Sequence, residues 1–240
     1  MKERASVSEY VGGELELFRD AVRWKAYWAS RIRRYLGARV LEVGAGIGAN
    51  AMLLATPAQR QWLCLEPDPR LTLKIEEALR AGLLPSSCAV QTGTIDDLSP
   101  DQRFDTILYI DVMEHIEADS REFATAAAML ADGGHLVVLA PAHQMLFAPF
   151  DAAIGHHRRY DRAGLRELGA TSTLRLEKLF YLDSVGLAAS AANRIFLRSE
   201  MPTRTQVMLW DRFMVPLSRV VDPLTAYRLG KTVIGIWRRS

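Results

Sequence analysis

The chain has 240 residues, of which 49% are hydrophobic and 24% charged, an ordinary composition for a soluble globular protein. Its two cysteines, Cys64 and Cys88, argue against a disulfide framework, and no Cys/His spacing typical of a zinc site occurs. The first residues carry charges without an apolar stretch, and no run of about 18 uncharged apolar residues follows. We therefore expect a cytoplasmic protein without a signal peptide or a membrane-spanning helix.

The charge is distributed unevenly along the chain. Residues 1–155 hold 15 Lys and Arg against 21 Asp and Glu, and residues 156–240 hold 15 against 7. A basic C-terminal third is typical of proteins that meet an anionic substrate, a membrane surface or nucleic acid, and equally of a solvated basic face. The charge alone leaves these alternatives open.

The apolar pattern predicts alternating helices and strands. A helix is predicted over residues 14–36, ended by Gly37. The elements predicted after it are a strand at 39–43, a helix to about residue 55, a strand at 61–67, a helix at 69–81, strands at 88–93 and 103–111, a helix at 118–131 and a strand at 135–141. Such alternation with short connections predicts right-handed crossovers and a parallel sheet with helices on both faces.

The rhythm changes after residue 141. The predicted elements there are an irregular segment at 141–163, a short helix at 163–169, a strand at 172–182, mostly helix over 184–230 and a last strand at 231–239. We expect a single domain over residues 1–240. It would consist of an N-terminal helical cap (1–37), a ligand-binding core (38–141) and a substrate-side segment with a helical insertion and the last strands (142–240).

A glycine-rich turn follows the first strand. The stretch "LEVGAGIGAN" (41–50) places Gly44, Gly46 and Gly48 where the backbone must turn tightly and approach a ligand, and it also fits the dinucleotide pattern G-x-G-x-x-G/A. Glu66 ends the second strand, 22 residues beyond Gly44. A carboxylate there can accept hydrogen bonds from both hydroxyls of a ribose, so the two features together predict an adenosine-type ligand.

Acidic residues around this turn favour a cationic ligand over a diphosphate. Glu42 lies inside the first strand, where a buried carboxylate is costly unless it is paired. Asp111, Glu114 and His115 follow the fourth strand, at the edge where open α/β sheets bind ligands. The amino group of a methionine moiety would justify these carboxylates, whereas a pyrophosphate would be repelled by them.

Over nearly its whole length the chain resembles the class I S-adenosylmethionine-dependent methyltransferases. The segments that carry the resemblance are, in chain order, "LEVGAGIGAN", "LEPD" (65–68), "TGTIDDL" (92–98), "FDTILYIDVMEHI" (104–116) and "LADGGHLVVLAP" (130–141). The resemblance implies an α/β fold with a doubly wound, seven-stranded sheet, mostly parallel with an antiparallel last strand, flanked by an N-terminal helix and a C-terminal helical cap. It also implies S-adenosyl-L-methionine as the cofactor.

The resemblance further implies which residues bind this cofactor. The residues expected at the cofactor are Tyr27, Glu42, Gly44, Ala45, Gly46, Gly48, Glu66, Pro67, Thr94, Ile95, Asp96, Asp111 and His115. Glu66 is expected at the ribose and Asp111 near the methionine end. Tyr27 or Trp28 is expected to close over the ligand, and at least one of the two is expected in the aromatic core of the N-terminal helix. The family commonly has an acid directly after the glycine of the adenine-side motif, but this chain has Thr94, so Asp96 or the backbone near Ile95 is expected to take that part.

The segment "PAHQMLFAPFDAAIGHHRRYDRAGL" (141–165) is apolar first and then basic, a mixture that suits a substrate-side wall. A subset of these methyltransferases, often encoded beside cell-envelope or natural-product genes, has a similar Asp…Gly-His-aromatic-Arg-Arg-Tyr run. The residues expected to bind substrate are Phe147, Asp151, Arg159 and Tyr160. Candidate general bases, needed only for a poor nucleophile, are His143, His156 and His157. Asp151 would either orient His156 or staple the loop.

These features predict methyl transfer to a small molecule that is anionic or apolar, on oxygen or nitrogen and less favourably on carbon, such as a natural product or cell-envelope precursor. The alternatives are a nicotinamide-dependent oxidoreductase, which Glu42 and the Asp111 cluster disfavour, and a non-catalytic partner subunit with the methyltransferase fold. Nucleic acid is disfavoured because no (N/D)PPY-type motif is present. No metal is predicted, and a monomer or homodimer is expected.

Residues 201–231 carry arginines every seven to nine residues among apolar ones. The first interpretation is a cap over the active site. The alternatives are a dimer surface and a basic amphipathic helix in peripheral contact with anionic lipid. Pro216 and Pro223 are expected to break the segment into pieces, which counts against one long helix lying on a membrane.

Overall fold

The computed structural model describes residues 20–196 and 203–240, and these form a seven-stranded sheet in the order β3-β2-β1-β4-β5-β7-β6. The strands are β1 (Arg39–Val43), β2 (Gln61–Glu66), β3 (Cys88–Thr92), β4 (Phe104–Ile110), β5 (Leu130–Pro141), β6 (Arg175–Leu182) and β7 (Thr232–Arg238). β7 runs antiparallel to both β5 and β6, whereas the pairs from β3 to β5 are parallel. This confirms the predicted sheet with its antiparallel last strand.

Helices flank this sheet along the described chain. They are α1 (Val22–Ile32), α2 (Ala49–Leu54), α3 (Pro69–Arg80), α4 (Asp119–Ala128), α5 (Pro149–Ala153), α6 (Arg162–Ala170), α7 (Ser184–Phe196), α8 (Arg204–Leu209) and α9 (Val215–Leu224). None of the helices in residues 20–196 and 203–240 has the length and apolar character needed to cross a bilayer.

The sheet is buried on both faces. Along β4, Leu108 shares a core cluster with Trp28 of α1, whereas Ile107 shares a second cluster with Phe123 of α4. A strand covered on both sides is apolar almost throughout rather than at alternate positions. This explains why the β4 sequence FDTILYI is apolar on both faces after its first three residues.

The strand order positions the ligand edge. β1 pairs with β2 on one side and with β4 on the other, so the chain moves outward from β1 to β3 and then returns to the opposite side of β1. The loops after β1 and β4 therefore leave neighbouring strand ends at the point where the strand order reverses. Open α/β sheets bind ligands at such a point.

Several predicted boundaries are wrong. The helix predicted over 14–36 spans Val22–Ile32, with Asp20 and Ala21 outside it, and residues 14–19 lie outside the described residues. α4 ends at Ala128, and β5 begins at Leu130, earlier than predicted. The glycines after Asp132 lie inside β5 next to a register shift against β4, because a bulge accommodates a residue with positive φ such as Gly133 (φ 74°). The segment predicted as irregular, 141–163, contains the helix α5.

The predicted proline breaks are also wrong. Residues 204–224 stay helical through a π turn at Trp210–Met214 that joins α8 to α9. Pro216 lies in the first turn of α9, directly after the π turn. Because the hydrogen-bond pattern changes at a π turn, the helix continues although Pro216 has no N–H to donate. Pro223 lies in the last turn of α9, where a missing N–H and the proline ring disturb little of the helix.

The α8–α9 segment is anchored by buried carboxylates. Asp211 accepts hydrogen bonds from the N–H groups of Arg23 (3.2 Å) and Trp24 (2.8 Å) in the first turn of α1, where a carboxylate also suits the helix dipole. Asp222 is fully buried and accepts from the Tyr27 hydroxyl at 2.8 Å. Hydrogen bonds to these two carboxylates therefore hold the inner face of the α8–α9 segment against α1.

The outer face of the same segment is apolar and basic. Its exposed large apolar residues are Met208, Leu209, Phe213, Leu217, Val220 and Leu224. Arg204, Arg212, Arg219 and Arg228 are also exposed there, whereas both carboxylates of residues 203–230 are buried. The inner face of the segment therefore packs within this chain, whereas the outer face is exposed.

The buried Asp222 makes a stability prediction possible. Asp222→Ala should lower the free energy of unfolding by roughly 3 kcal/mol, because the Tyr27 hydroxyl and the N–H groups of Asp183 and Ser184 lose their acceptor. Urea unfolding followed by circular dichroism measures this. The control Asp132→Ala removes an exposed carboxylate and should change little. Equal losses in the two variants would contradict the anchoring role.

Candidate active site

The glycine turn after β1 adopts the backbone that its sequence predicts. Gly44, Gly46 and Gly48 have φ values of 66°, 58° and 77°, in the left-handed region that favours glycine. A Cβ on Gly44 would lie 2.6 Å from Cγ2 of Val112, which follows β4. The turn and the loop after β4 are therefore in direct contact, and the Gly44 position has no space for a side chain.

Glu66 is held in place at the end of β2. Its side chain is buried, and its Oε2 accepts a hydrogen bond from the Gly46 N–H at 2.8 Å while its Oε1 accepts from the Asp68 N–H at 3.0 Å. Burial raises the pKa of Glu66 above its usual range, and the two N–H donors oppose that effect. The carboxylate is thus fixed against the glycine turn, and each oxygen keeps a lone pair for a ligand hydroxyl.

Glu42 is a buried carboxylate in the middle of β1. Trp62 Nε1–H donates to its Oε2 at 3.0 Å, but its Oε1 accepts no hydrogen bond from the part of the chain that the structure describes. Burial raises the pKa of Glu42 to about 7 despite the nearby side chains of Trp62 and Asn50. An acceptor left unsatisfied beside a glycine turn fits a ligand that brings a hydrogen-bond donor or a positive charge.

Asp111 has a strained backbone directly after β4. Its φ is 54°, and its N–H donates to the Leu139 carbonyl of β5 at 2.9 Å. Asp111 is exposed as a residue, yet burial of its carboxyl group raises the pKa to about 6 against the opposing charges of His156 and Lys231. Strain of this kind is typical of ligand-binding edges.

Asp151 organises the run that follows β5. It is 1% exposed and accepts hydrogen bonds from His156 Nδ1 at 3.1 Å and from Nε and Nη2 of Arg159 at 3.0 Å each. Burial alone would raise the pKa of Asp151, but His156 and Arg159 hold it below its usual range. The pair Asp151–Arg159 therefore fixes the His156 ring and the loop at the same time.

Three of the residues predicted to bind substrate are engaged within the protein. Arg159 forms the pair with Asp151, and the buried Tyr160 hydroxyl donates to Asp119 Oδ2 at 2.6 Å. His157 is exposed, and its backbone N–H donates to the Glu114 carbonyl at 2.8 Å. Phe147, the other residue predicted to bind substrate, is half-buried near the start of the segment.

His143 has a defined tautomer. Its ring stacks on Tyr181 with centroids 5.0 Å apart, and its Nε2 lies 2.9 Å from the Gly230 carbonyl oxygen. A carbonyl only accepts, so the Nε2 atom carries the proton and Nδ1 is left as the acceptor. This is the arrangement that a general base requires.

The other predicted cofactor residues have mixed placements. Ala45 is buried within the glycine turn, and Pro67 is exposed after β2. Ile95 is buried in the turn after β3, whereas exposed Asp96 forms an ion pair with Arg121 at 2.7 Å. The N–H and hydroxyl of Thr94 both donate to Asp97 rather than to Asp96. Asp97 therefore shapes this turn, a role that the sequence prediction missed.

The aromatic residues of α1 pack inside the protein. Tyr27 is 1% and Trp28 2% exposed, and the Tyr27 hydroxyl is bound to Asp222. The prediction that Tyr27 closes over a ligand is not supported by this packing. The Tyr27 hydroxyl is turned inward because Asp222 of α9 supplies a buried carboxylate acceptor, and the α1 sequence does not reveal that partner.

Lys231 was also missed near the ligand edge. Lys231 Nζ lies 3.8 Å from Asp183 Oδ2 and 4.0 Å from the Trp210 ring centroid, and burial lowers its pKa. The charges of Lys231 and Asp111 act on each other across the ligand edge. No sequence signal links the two residues, because β7 returns to the sheet only at the end of the chain.

A family profile described as a methyltransferase domain matches residues 18–178. The chain belongs to this methyltransferase family. The resemblance drawn from the sequence motifs is thereby confirmed, as is S-adenosylmethionine as the cofactor of the family. A search of curated proteins found no match.

Solved structures of methyltransferases share the fold. The N-methyltransferase NodS from Bradyrhizobium japonicum, in complex with S-adenosyl-L-homocysteine, is 15% identical with a TM-score of 0.59, over 97% of this chain and 94% of that chain. Coclaurine N-methyltransferase, bound to N-methylheliamine and S-adenosylhomocysteine, is 13% identical with a TM-score of 0.62, over 91% of this chain and 72% of that chain.

The fold also occurs with other chemistry. The [4+2]-cyclase SpnF is 14% identical with a TM-score of 0.61, over 95% of this chain and 94% of that chain. At such identities the likeness shows the fold and not the reaction.

The contact between Gly44 and Val112 leads to a matched pair of variants. Gly44→Ala should cost more stability than Gly82→Ala, because both positions have positive φ but nothing lies within 4 Å of a Cβ on Gly82. Gly82→Ala should cost about 1 kcal/mol of backbone strain, and displacement of Val112 should add roughly 1–3 kcal/mol at Gly44. Denaturant unfolding of both variants checks this, and similar costs would show that the turn is not tightly packed.

Glu42 predicts a pH dependence of stability. Its folded pKa, about 7, exceeds the ordinary 4.5, so the protonated form contributes stability that is present below about pH 4.5 and lost as the pH rises through 7. The loss should be on the order of 3 kcal/mol in wild type relative to Glu42→Gln. Unfolding free energies measured from pH 4.5 to 8.5 give the difference, and parallel curves for the two proteins would refute the assignment.

Proposed function

We propose that the protein transfers a methyl group from S-adenosylmethionine to a small molecule that binds against residues 141–160. The observation that carries this proposal is the pair of buried carboxylates at the glycine turn. Glu66 is fixed by the Gly46 N–H, and Glu42 presents an unsatisfied oxygen to its surroundings. An adenosine ligand with a cationic tail fits such a pair, and a diphosphate does not.

Different residues around the turn would bind different parts of the cofactor. Glu66 would accept hydrogen bonds from the ribose hydroxyls, and the chain at Thr94–Asp96 would lie beside the adenine. Glu42 and Asp111 would lie nearer the cationic tail, where their charges favour it. When bound, S-adenosylmethionine supplies a methyl group on a positively charged sulfur. The protein's own contribution is alignment and the exclusion of water, which can supply roughly 7–11 kcal/mol of a barrier.

The segment after β5 would hold the acceptor. It begins at the ligand edge of the sheet, and its Phe147 is half-buried. Asp151, His156 and Arg159 keep the segment rigid through their mutual hydrogen bonds. We assign His143 as the proton acceptor, because the Gly230 carbonyl fixes its tautomer and leaves Nδ1 as the acceptor. His157 is exposed and is assigned no part in proton transfer.

Calorimetry with S-adenosylhomocysteine and NAD tests the proposal. The protein should bind S-adenosylhomocysteine and not NAD. Glu66→Gln should weaken the affinity at least tenfold, because it exchanges a fixed anionic acceptor for an amide and a hydrogen bond to a charged group contributes about 1.5–3 kcal/mol. Glu76→Gln, on the exposed side of α3, is the control and should leave the affinity unchanged. Absence of S-adenosylhomocysteine binding by wild type would overturn the proposal.

A further inference from the structure

The Glu114 carboxylate is buried without a hydrogen-bond partner. Glu114 is 0% exposed, and within residues 20–196 and 203–240 neither Oε1 nor Oε2 accepts a hydrogen bond. Burying a carboxylate without compensation is among the costliest arrangements in a protein interior. No step of the proposed methyl transfer uses this carboxylate, so its position requires another explanation.

Two histidine rings lie beside this carboxylate. The rings of His115 and His156 have centroids 4.5 Å apart and are nearly perpendicular, at 86°. His156 Nε2 is 3.9 Å from Glu114 Oε1, which is too long for a hydrogen bond. One ligand atom from each of Glu114, His115 and His156 lies within 4.8 Å of the other two.

The hydrogen bond to Asp151 determines what His156 offers to Glu114. A carboxylate held by Arg159 accepts from His156 Nδ1, so that atom carries a proton, and Nε2 is the ring atom that faces Glu114. A buried site can hold either a proton or a metal ion between Nε2 and a carboxylate oxygen of Glu114. A metal ion that takes the place of the proton has both atoms as ligands.

We propose that Glu114, His115 and His156 bind a divalent first-row transition-metal ion. Bonds of about 2.0–2.2 Å to one ion separate its ligand atoms by roughly 3–4 Å, so small side-chain rotations bring the three atoms into range. Two imidazoles and one carboxylate favour Mn²⁺, Fe²⁺, Co²⁺ or Zn²⁺ over Mg²⁺ or Ca²⁺. Asp151 then acts as the outer carboxylate that orients a ligating histidine.

The location of the site suggests the class of acceptor, an inference that rests on the proposed function. Val112, between Asp111 and Glu114, contacts Gly44 of the glycine turn. Three protein ligands leave coordination positions free, and Asp111, three residues before Glu114, is an exposed residue. A metal ion there would hold oxygen atoms of a hydroxylated substrate and lower the pKa of a bound hydroxyl. We therefore infer an acceptor with metal-chelating hydroxyl groups.

Titration with Mn²⁺, followed by electron paramagnetic resonance of the free ion, tests the site without any methyl donor. Wild type should bind one Mn²⁺. The isosteric variant Glu114→Gln and His156→Ala should each weaken binding at least tenfold. His157→Ala, which removes an exposed ring one residue along, should remain within twofold of wild type. The visible absorption of bound Co²⁺ should change in His156→Ala, as expected for loss of a nitrogen ligand.

The outcomes separate this inference from the proposed function. If wild type binds S-adenosylhomocysteine but neither Mn²⁺ nor Co²⁺, the metal site is wrong while the methyltransferase proposal stands. Binding that persists in Glu114→Gln, or that is lost in His157→Ala, would overturn the ligand set. Catechol added to the Co²⁺-loaded protein should shift its absorption spectrum, and an unchanged spectrum would overturn the inferred acceptor class.

Discussion

The burial of carboxyl groups at the carboxyl edge of the parallel sheet is the constraint on which the site depends. Glu42, Glu66 and Glu114 are each at most 6% exposed, and Asp111 lies among them at the end of β4. Burial raises the pKa of all three glutamates, because each charge has lost its hydration. Ligands that are positive or rich in hydrogen-bond donors are therefore favoured at this edge, because they replace part of the lost hydration.

The neighbours of each carboxylate separate structural from ligand-binding roles. Asp151 and Asp222 have structural roles, because arginine, histidine, tyrosine and backbone groups donate hydrogen bonds to them. Glu66 is held by two backbone N–H groups and keeps free lone pairs. Glu114 has no such donor among the residues described. The number of hydrogen-bond donors around each carboxylate, rather than the presence of acidic residues, distinguishes ligand-binding from structural carboxylates.

Local features could be predicted from the sequence, and long-range ones could not. The strands, the glycine turn and Glu66 at the end of β2 follow from apolar runs and from glycine positions. The continuous helix through Pro216 depends on a π turn that no residue pattern marks. The hydrogen bond between Tyr27 and Asp222 joins residues 195 positions apart, so it could not be predicted, and the family resemblance implied a ligand contact for Tyr27 instead.

One crystallographic experiment tests the central claim that the carboxylates in β1, at the end of β2 and after β4 form a single ligand site. Crystals grown with S-adenosylhomocysteine and Mn²⁺ would be measured for anomalous scattering. The account predicts S-adenosylhomocysteine over Gly44–Gly48 with its ribose at Glu66, and a manganese peak at about 2.2 Å from Glu114 and His156. Ligand density away from the glycine turn, or no manganese peak beside Glu114, would contradict it.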